Sequence, residues 1–185
     1  MRVIAGSARR LKLVTPEGND TRPTQDRIKE TLFNMIQNQV PGSVFIDLFS
    51  GSGGIGIEAL SRGASKAYFI ENGAAPYKCI LANLKTTHFE EDATVFKQDV
   101  VIALRNIHEK EADIIFMDPP YHGDLYERTL AQLSAMSYVT ENTMIIAESP
   151  VDLDFSFAEE YGFEVRREKE YKNNKHVFLY RKDNS

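Results

Sequence analysis

The stretch SVFIDLFSGSGGIG, residues 43–56, decides the fold of this chain. It opens with Val44-Phe45-Ile46, and a short apolar run of this kind is typical of a buried strand in a parallel sheet. A glycine-rich loop follows Asp47, and the residues from Ile55 onward are typical of a helix. A strand, a glycine loop and a helix in this order predict the first βαβ unit of a nucleotide-binding fold.

The glycines at positions 51, 53 and 56 form the pattern G-x-G-x-x-G, which also fits a tight turn that binds nothing. Two carboxylates favour a ligand site over an empty turn. Glu71 closes the next strand, where an acid can hold ribose hydroxyls, and Asp47 precedes the loop. A carboxylate in the pocket suits a ligand with an ammonium group and repels a pyrophosphate, which disfavours NAD. This arrangement resembles motif I of the S-adenosylmethionine-dependent methyltransferases, whose glycine loop faces the methionine part of the cofactor.

Asp99 ends the third predicted strand, where this fold commonly accepts a hydrogen bond from the adenine amino group of the cofactor. Capping of the next helix is an equally good role for this side chain, and the two roles are compatible. The cofactor-binding residues that this resemblance implies are Asp47, Phe49, Ser50, Gly51, Gly53, Glu71, Asn72, Asp99 and Val100.

Strand and helix patterns alternate from Ser43 onward, which predicts a parallel sheet with helices on both faces. Gly63 is expected at the end of the first of these helices. Two further strands, near 163–168 and 176–180, have no helix between them and predict an antiparallel hairpin. The other predicted strands cover about 44–48, 66–71, 93–97, 112–117 and 143–148, and the helices about 54–62, 74–86, 100–108 and 124–136.

The front of the chain differs from this pattern. Residues 1–14 predict a small hairpin of two strands around Gly6-Ser7. Thr24 is the expected N-cap of a helix that ends at Pro41-Gly42, with Arg27 and Lys29 near its exposed start. The apolar face of this helix comprises Ile28, Leu32, Met35, Ile36 and Val40.

The composition is that of an ordinary globular domain with a small appendage, with 185 residues, 42% hydrophobic and 26% charged. Cys79 is the only cysteine, which excludes an internal disulfide and a cysteine zinc cluster and favours a reducing, cytoplasmic location. No apolar run reaches membrane-spanning length, and the N-terminus lacks the apolar core of a signal peptide.

The net charge of −5 argues by itself against a nucleic-acid partner. Residues 1–12, however, contain four basic residues and no acid, so the remainder carries a net charge of −9. This segregation predicts a basic RNA-binding arm, although a solvated, frayed terminus explains the composition equally well. The expected RNA-binding residues are Arg2, Arg9, Arg10, Lys12, Arg22 and Arg27.

A second motif, Asp118-Pro119-Pro120-Tyr121, directly follows the fourth predicted strand. Ligand sites of open α/β sheets lie beyond the carboxyl ends of the strands, so Asp118 is expected near Asp47 and Glu71. Because prolines lack a backbone N–H, the motif presents hydrogen-bond acceptors and an aromatic face. This set suits a planar amine on a ring, with Asp118 and the Pro119 carbonyl accepting the amine hydrogens and Tyr121 stacking on the base. The alternative is a proline turn that merely closes a strand.

The four histidines show no metal-ligand spacing, and no metal site is expected. All four are predicted to be surface or loop residues, and one of them lies beside the second motif. They are His88, His108, His122 and His176.

The chain resembles the bacterial RsmD-type 16S rRNA guanine-N2 methyltransferases over nearly its whole length. The resemblance implies a class I, Rossmann-like α/β methyltransferase with a seven-stranded, mostly parallel sheet, a C-terminal antiparallel hairpin and an N-terminal extension. The motifs that carry it are Arg2-Val3-Ile4-Ala5-Gly6, Arg22-Pro23-Thr24-x-x-Arg27, Glu30-x-x-Phe33-Asn34, Asp47-Leu48-Phe49-Ser50-Gly51-Ser52-Gly53, Glu58-Ala59-Leu60-Ser61-Arg62-Gly63-Ala64 and Asp118-Pro119-Pro120-Tyr121.

The resemblance also implies a function. Residues 1–41 would form the RNA-binding extension, and residues 42–185 the methyltransferase domain. S-adenosylmethionine would be the cofactor, and catalysis would depend on Asp118, Pro119, Pro120 and Tyr121. The expected reaction is methylation of the exocyclic N2 amine of a guanine in 16S rRNA or in the small ribosomal subunit, by a cytoplasmic monomer that uses neither membrane nor metal.

Two other classes of function remain open. The same chemistry serves enzymes that act on another rRNA site, on DNA adenine or cytosine, or on a protein glutamine, although 185 residues leave no room for a separate DNA-recognition domain. A catalytically silent RNA-binding assembly factor is the other alternative, and the intact Asp47, Glu71 and Asp118 argue against it. A nicotinamide dehydrogenase is the least favoured interpretation.

Overall fold

Seven strands form one sheet in the computed structural model, which describes residues 1–18, 23–120 and 124–183. The spatial order is β3-β2-β1-β4-β5-β7-β6, with β1 to β5 parallel and β7 antiparallel to both of its neighbours. This confirms the predicted sheet and its C-terminal hairpin. The strands are β1 (Val44–Leu48), β2 (Lys66–Ile70), β3 (Ala93–Phe96), β4 (Ile114–Met117), β5 (Met144–Pro150), β6 (Phe163–Glu170) and β7 (Asn174–Arg181).

Helices cover both faces of the sheet, and alternate strand residues pack into two separate cores. Phe45 and Phe69 lie in the core that contains residues of α1, α2 and α3, whereas Ile46 and Ile70 lie in the core under α4 and α5. The helices are α1 (Pro23–Met35), α2 (Gly54–Ser61), α3 (Ala74–Thr87), α4 (Val100–Arg105) and α5 (Leu125–Ser134), with 3-10 turns at Glu90–Asp92 and Ser156–Tyr161.

The predicted limits of α1 were wrong at both ends. The helix begins at Pro23, a residue that suits the first helical position, so Thr24 lies inside the helix and not at the N-cap position. It ends at Met35, and turns continue the chain so that Ile36 and Val40 are still buried. Lys29, expected near an exposed helix start, is also buried. The prediction for Gly63 is confirmed, since it follows α2 with a φ of +100°.

The N-terminal arm, residues 1–14, folds back on itself as a minimal antiparallel hairpin, in which the Val3 and Leu13 N–H groups bind the Leu11 and Met1 carbonyls. A single antiparallel bridge joins Arg2 to Lys12, with turns between them. Val3, Ala8 and Leu13 are buried in the core beside α1 and α2. The interpretation as a frayed terminus was therefore wrong. None of the helices in the described ranges is long and apolar enough to cross a bilayer.

Candidate cofactor and acceptor site

A cleft of about 990 Å³ opens at the carboxyl ends of β1, β2, β4 and β5. The strand order reverses between β1 and β4, and such switch points are the usual ligand sites of parallel α/β sheets. Gly53 is not among the residues that line the cleft, and a Cβ at this position would contact Phe69 and Ile80. The predicted residues that the cleft brings together are Asp47, Phe49, Ser50, Gly51, Glu71, Asn72, Asp99, Val100, Asp118, Pro119 and Pro120.

Asp47 is buried at the base of the cleft. Its Oδ2 accepts the backbone N–H of Gly56, at 3.0 Å. Burial raises the pKa of this carboxyl to about 8, the Gly56 N–H opposes the rise, and the charges of Asp118 and Glu71 add to it. A cationic group in the cleft would favour the ionised form, so the site suits a ligand that carries an ammonium group.

The glycine loop is held in place by side chains that line the cleft. Glu71 accepts the N–H of Gly51 at 2.9 Å with one carboxylate oxygen and that of Gly73 at 2.7 Å with the other. Ser50 donates its hydroxyl to the Asp47 carbonyl at 2.6 Å. Phe49 has a φ of 59°, a left-handed conformation that is unusual for a residue other than glycine. These contacts fix the shape of the loop.

Asp99 caps α4, as predicted, because its Oδ1 accepts the N–H of Val101 at 2.9 Å. The residue also lines the cleft. The capping bond uses one carboxylate oxygen, so the cap leaves the side chain able to accept a second hydrogen bond from a ligand.

Asp118 follows the last residue of β4 and lines the cleft. Its side chain is exposed to the cleft, yet desolvation by the nearby protein raises its pKa to about 7, and the charge of Glu148 adds to the rise. Pro119 and Pro120 also line the cleft. Tyr121 and His122 lie outside the described residues, so the stacking role expected of Tyr121 stays a prediction.

The prediction that His176 is a surface or loop residue was wrong, because its side chain is fully buried on β7 and lines the cleft. Its Nε2 lies 3.0 Å from Glu148 Oε2, and its Nδ1 lies 3.0 Å from the Tyr171 hydroxyl. Asn174 donates to the other Glu148 oxygen at 2.7 Å. Sequence reasoning missed this network, although a histidine beside Val177-Phe178-Leu179 in an apolar strand was a usable signal. His88 and His108 are exposed, as predicted.

The N-terminal arm is attached to α2. The carboxylate of Glu58 is fully buried and accepts the N–H groups of Ile4 and Ala5 at 2.9 and 3.1 Å. It also pairs with Arg62 at 2.9 Å and with Lys29 at 3.6 Å. The segments 2–6 and 58–64, which carried much of the sequence resemblance, are therefore in direct contact.

The basic side chains of the arm point away from this attachment. Arg2, Arg9, Arg10 and Lys12 are exposed, as is Arg27 on α1. Met1 of the arm lines the cleft, as do Thr15 and Pro16, which directly follow the arm. Arg22 lies outside the described residues.

Comparison with known proteins identifies the family. The family model described as "Conserved hypothetical protein 95" matches residues 1–181. The Ribosomal RNA small subunit methyltransferase D of Haemophilus influenzae is 36% identical over 154 residues, which cover 82% of this chain and 80% of that protein. The chain belongs to the RsmD family of ribosomal RNA small subunit methyltransferases.

Other comparisons agree with this family assignment. The Bacillus subtilis protein YlbH is 36% identical over 184 residues, or 98% of this chain and 99% of that protein. The solved structure of the Escherichia coli protein yhhF has a TM-score of 0.83 and 32% identity, and covers 98% of this chain and 97% of that one. The cofactor of this methyltransferase family is S-adenosylmethionine, as predicted.

A more distant structure shares the fold. The Thermus thermophilus 16S rRNA N2 G1207 methyltransferase, solved with AdoMet and guanosine, has a TM-score of 0.71 and 20% identity. The match covers 90% of this chain and 45% of that one. Within the described residues, no group of three His, Cys, Asp or Glu side chains is arranged to hold a metal ion.

Proposed function

We propose that this RsmD-family protein methylates the exocyclic N2 amine of a guanine in 16S rRNA. The observation that carries the proposal is the position of Asp118-Pro119-Pro120 at the cleft, at the end of β4 and beside the glycine loop that follows β1. The Thermus protein of the same fold, which was solved with AdoMet and guanosine, supports guanine as the target base.

The cleft contains a suitable acceptor for each polar part of the cofactor. Asp47 would face the methionine ammonium group, Glu71 the ribose hydroxyls and Asp99 the adenine amino group. All three carboxylates line the cleft and lie at the ends of neighbouring strands. When bound, the cofactor supplies an electrophilic methyl group with a good leaving group, so the protein has mainly to position the amine.

Asp118 and the Pro119 carbonyl act on the target amine. The lone pair of a guanine N2 amine is delocalised into the ring and is a poor nucleophile. When both amine hydrogens are bound by acceptors, the nitrogen is oriented and pyramidalises more readily towards the methyl group. The pKa of about 7 also allows Asp118 to take the proton that leaves the nitrogen after methylation.

The basic arm would contact the RNA backbone. The target base must be single-stranded or flipped out to enter the cleft. An otherwise acidic protein repels RNA, and the exposed Arg2, Arg9, Arg10 and Lys12 of the arm would offset this repulsion locally. Arg27 lies on the adjoining helix and extends the same basic surface.

The proposal is tested by incubating the protein with labelled S-adenosylmethionine and, in parallel, with assembled small subunits, naked 16S rRNA or DNA. Mass spectrometry then maps the methylated nucleotide. N2-methylguanine at one position of 16S rRNA is the expected product, and Asp118→Ala is the inactive control. A product on DNA, or on another atom of the base, would overturn the proposal.

A further inference from the structure

We infer that Glu148 recognises the N1–H group of the target guanine and so selects guanine among bases that carry an N2 amine. His176 and Asn174 are positioning residues that orient its carboxylate. This inference rests on the proposed function, since it assigns the base contacts of the same site.

Glu148 is placed beside Asp118 by the sheet itself. In the parallel pairing of β4 with β5, Met117 lies opposite Ala147, and the next residues are Asp118 and Glu148. Both side chains line the cleft. A base whose N2 amine reaches Asp118 therefore has its neighbouring ring atoms close to Glu148.

The carboxylate of Glu148 is oriented at both oxygens. Asn174 Nδ2 donates to Oε1 at 2.7 Å, and His176 Nε2 lies 3.0 Å from Oε2. A carboxylate only accepts hydrogen bonds, so Nε2 carries the proton, and in the neutral ring Nδ1 then accepts from the Tyr171 hydroxyl at 3.0 Å. The Glu148 side chain keeps 20% of its surface exposed, while that of His176 keeps none.

This arrangement does not serve packing alone. Two neighbouring carboxylates at one strand end repel each other, and Glu148 contributes to the raised pKa of Asp118. A ligand with adjacent hydrogen-bond donors relieves that repulsion. Each carboxylate oxygen of Glu148 can accept more than one hydrogen bond, so the protein donors leave acceptor capacity for a base.

Guanine has the matching donors. Its N1–H and N2 amine are adjacent on the Watson–Crick edge, which enzymes read on a flipped base. Glu148 accepts N1–H, which leaves the N2 hydrogens to Asp118 and the Pro119 carbonyl. A base with an unprotonated N1 would direct a lone pair at the Glu148 carboxylate and would be rejected. The same contact also fixes the rotation of the ring in the cleft.

The test uses 2-aminopurine, which keeps the N2 amine but has an acceptor at N1. After the target position has been mapped, 16S rRNA with 2-aminopurine at that position is made by splinted ligation and assembled if subunits are the substrate. Single-turnover methylation is measured on both RNAs. Wild-type protein should prefer guanine by at least about tenfold, the discrimination typical of a well-placed base contact.

Glu148→Gln can donate to N1 and should reduce that preference to near unity. Asn174→Ala keeps the Glu148 carboxylate but removes the hydrogen bond to one of its oxygens. This variant should reduce the preference for guanine less than Glu148→Gln does. Glu109→Gln is the matched control, because Glu109 also binds two side chains, Lys66 and Tyr68, but does not line the cleft. It should keep the wild-type preference, and thermal melting checks that each variant is folded.

The outcomes separate the two claims. If the wild-type product is N2-methylguanine but Glu148→Gln and Asn174→Ala keep the wild-type preference, or slow both RNAs equally, the inference about Glu148 is wrong and the proposed function stands. If Glu148→Gln is inactive on both RNAs, the inference is tested by Asn174→Ala: a reduced preference for guanine supports it, and an unchanged preference contradicts it. If the wild type does not methylate a guanine N2 at all, the proposed function itself fails.

Discussion

The buried carboxylate of Glu58 accepts the backbone N–H of Ile4 at 2.9 Å, across 54 residues of sequence. The same side chain binds Ala5, Arg62 and Lys29, so the N-terminal arm and the helix α2 share one charged centre. Gly6 completes the contact, because a Cβ at this position would lie 1.8 Å from the Ser61 carbonyl oxygen. The arm is therefore part of the folded core and not an appended tail.

Glu58→Ala should destabilise the protein strongly. The change leaves two N–H groups and the buried Lys29 ammonium without their carboxylate, and burial already lowers the pKa of Lys29. Removing one partner of a buried pair typically costs about 3–5 kcal/mol in the free energy of unfolding. Urea denaturation measures the loss. Glu164→Ala, which breaks an exposed pair with Arg166, is the control and should leave the midpoint unchanged.

Asp47 makes the stability of the cofactor-free protein depend on pH. Its pKa is raised from 3.8 to about 8, so between these values the folded state binds a proton that the unfolded state has released. The contribution of this group to stability is therefore lost as the pH rises through that window. Between pH 5 and 8, the melting temperature of the Asp47→Asn variant should fall by less than that of the wild type. An equal loss in both proteins would contradict the assignment.

Glu71→Ala should weaken cofactor binding. The substitution removes the proposed ribose acceptor and also releases the N–H groups of Gly51 and Gly73 that hold the glycine loop. Unmatched polar partners of this kind cost about 1–3 kcal/mol. Isothermal calorimetry with S-adenosylmethionine measures the change, with the exposed Glu91→Ala as control. Unchanged affinity would remove Glu71 from the cofactor site.

Asp118 should affect the chemical step more than cofactor binding. Asp118→Ala is expected to lower kcat by about 10²–10³, as for the loss of one preorganised polar group. Because the ionised carboxylate is the better acceptor and its pKa is about 7, the wild-type rate should fall as the pH drops below that value. Single-turnover methylation from pH 5.5 to 8.5 measures both effects. A near-normal rate with collapsed cofactor binding would reverse the assignment.

The exposed arginines of the arm should contribute to RNA binding only. Arg9→Ala with Arg10→Ala is expected to raise the KM for RNA and to reduce its salt dependence by about one to two phosphate contacts. Cofactor affinity should not change, because neither residue lines the cleft. Arg105→Ala with Lys110→Ala removes the same charge near the far end of α4 and serves as control. Equal KM values for the two double variants would show that the RNA-binding surface lies elsewhere.

Local patterns made most of the sheet and the cleft predictable. The glycine loop, Asp99 and Asp118 each lie within a few residues of the end of a strand, and parallel strands bring their carboxyl ends together whatever the details of packing. Contacts between distant segments could not be predicted in this way. Glu148 and His176 are 28 residues apart and meet only because β7 is inserted next to β5. The arm's turn at Gly6-Ser7 was readable from the sequence, but the packing of Val3 and Leu13 against distant helices was not.

The short helix α2 has the glycine loop at its first residue and the attachment of the arm near its last. Its eight residues span about 12 Å of rigid backbone. If the arm contacts phosphates as proposed, the length of this helix fixes the distance between those phosphates and the methylated base. The protein would then choose its nucleotide by geometry, from a fixed distance along the folded RNA, with little need to read the neighbouring bases.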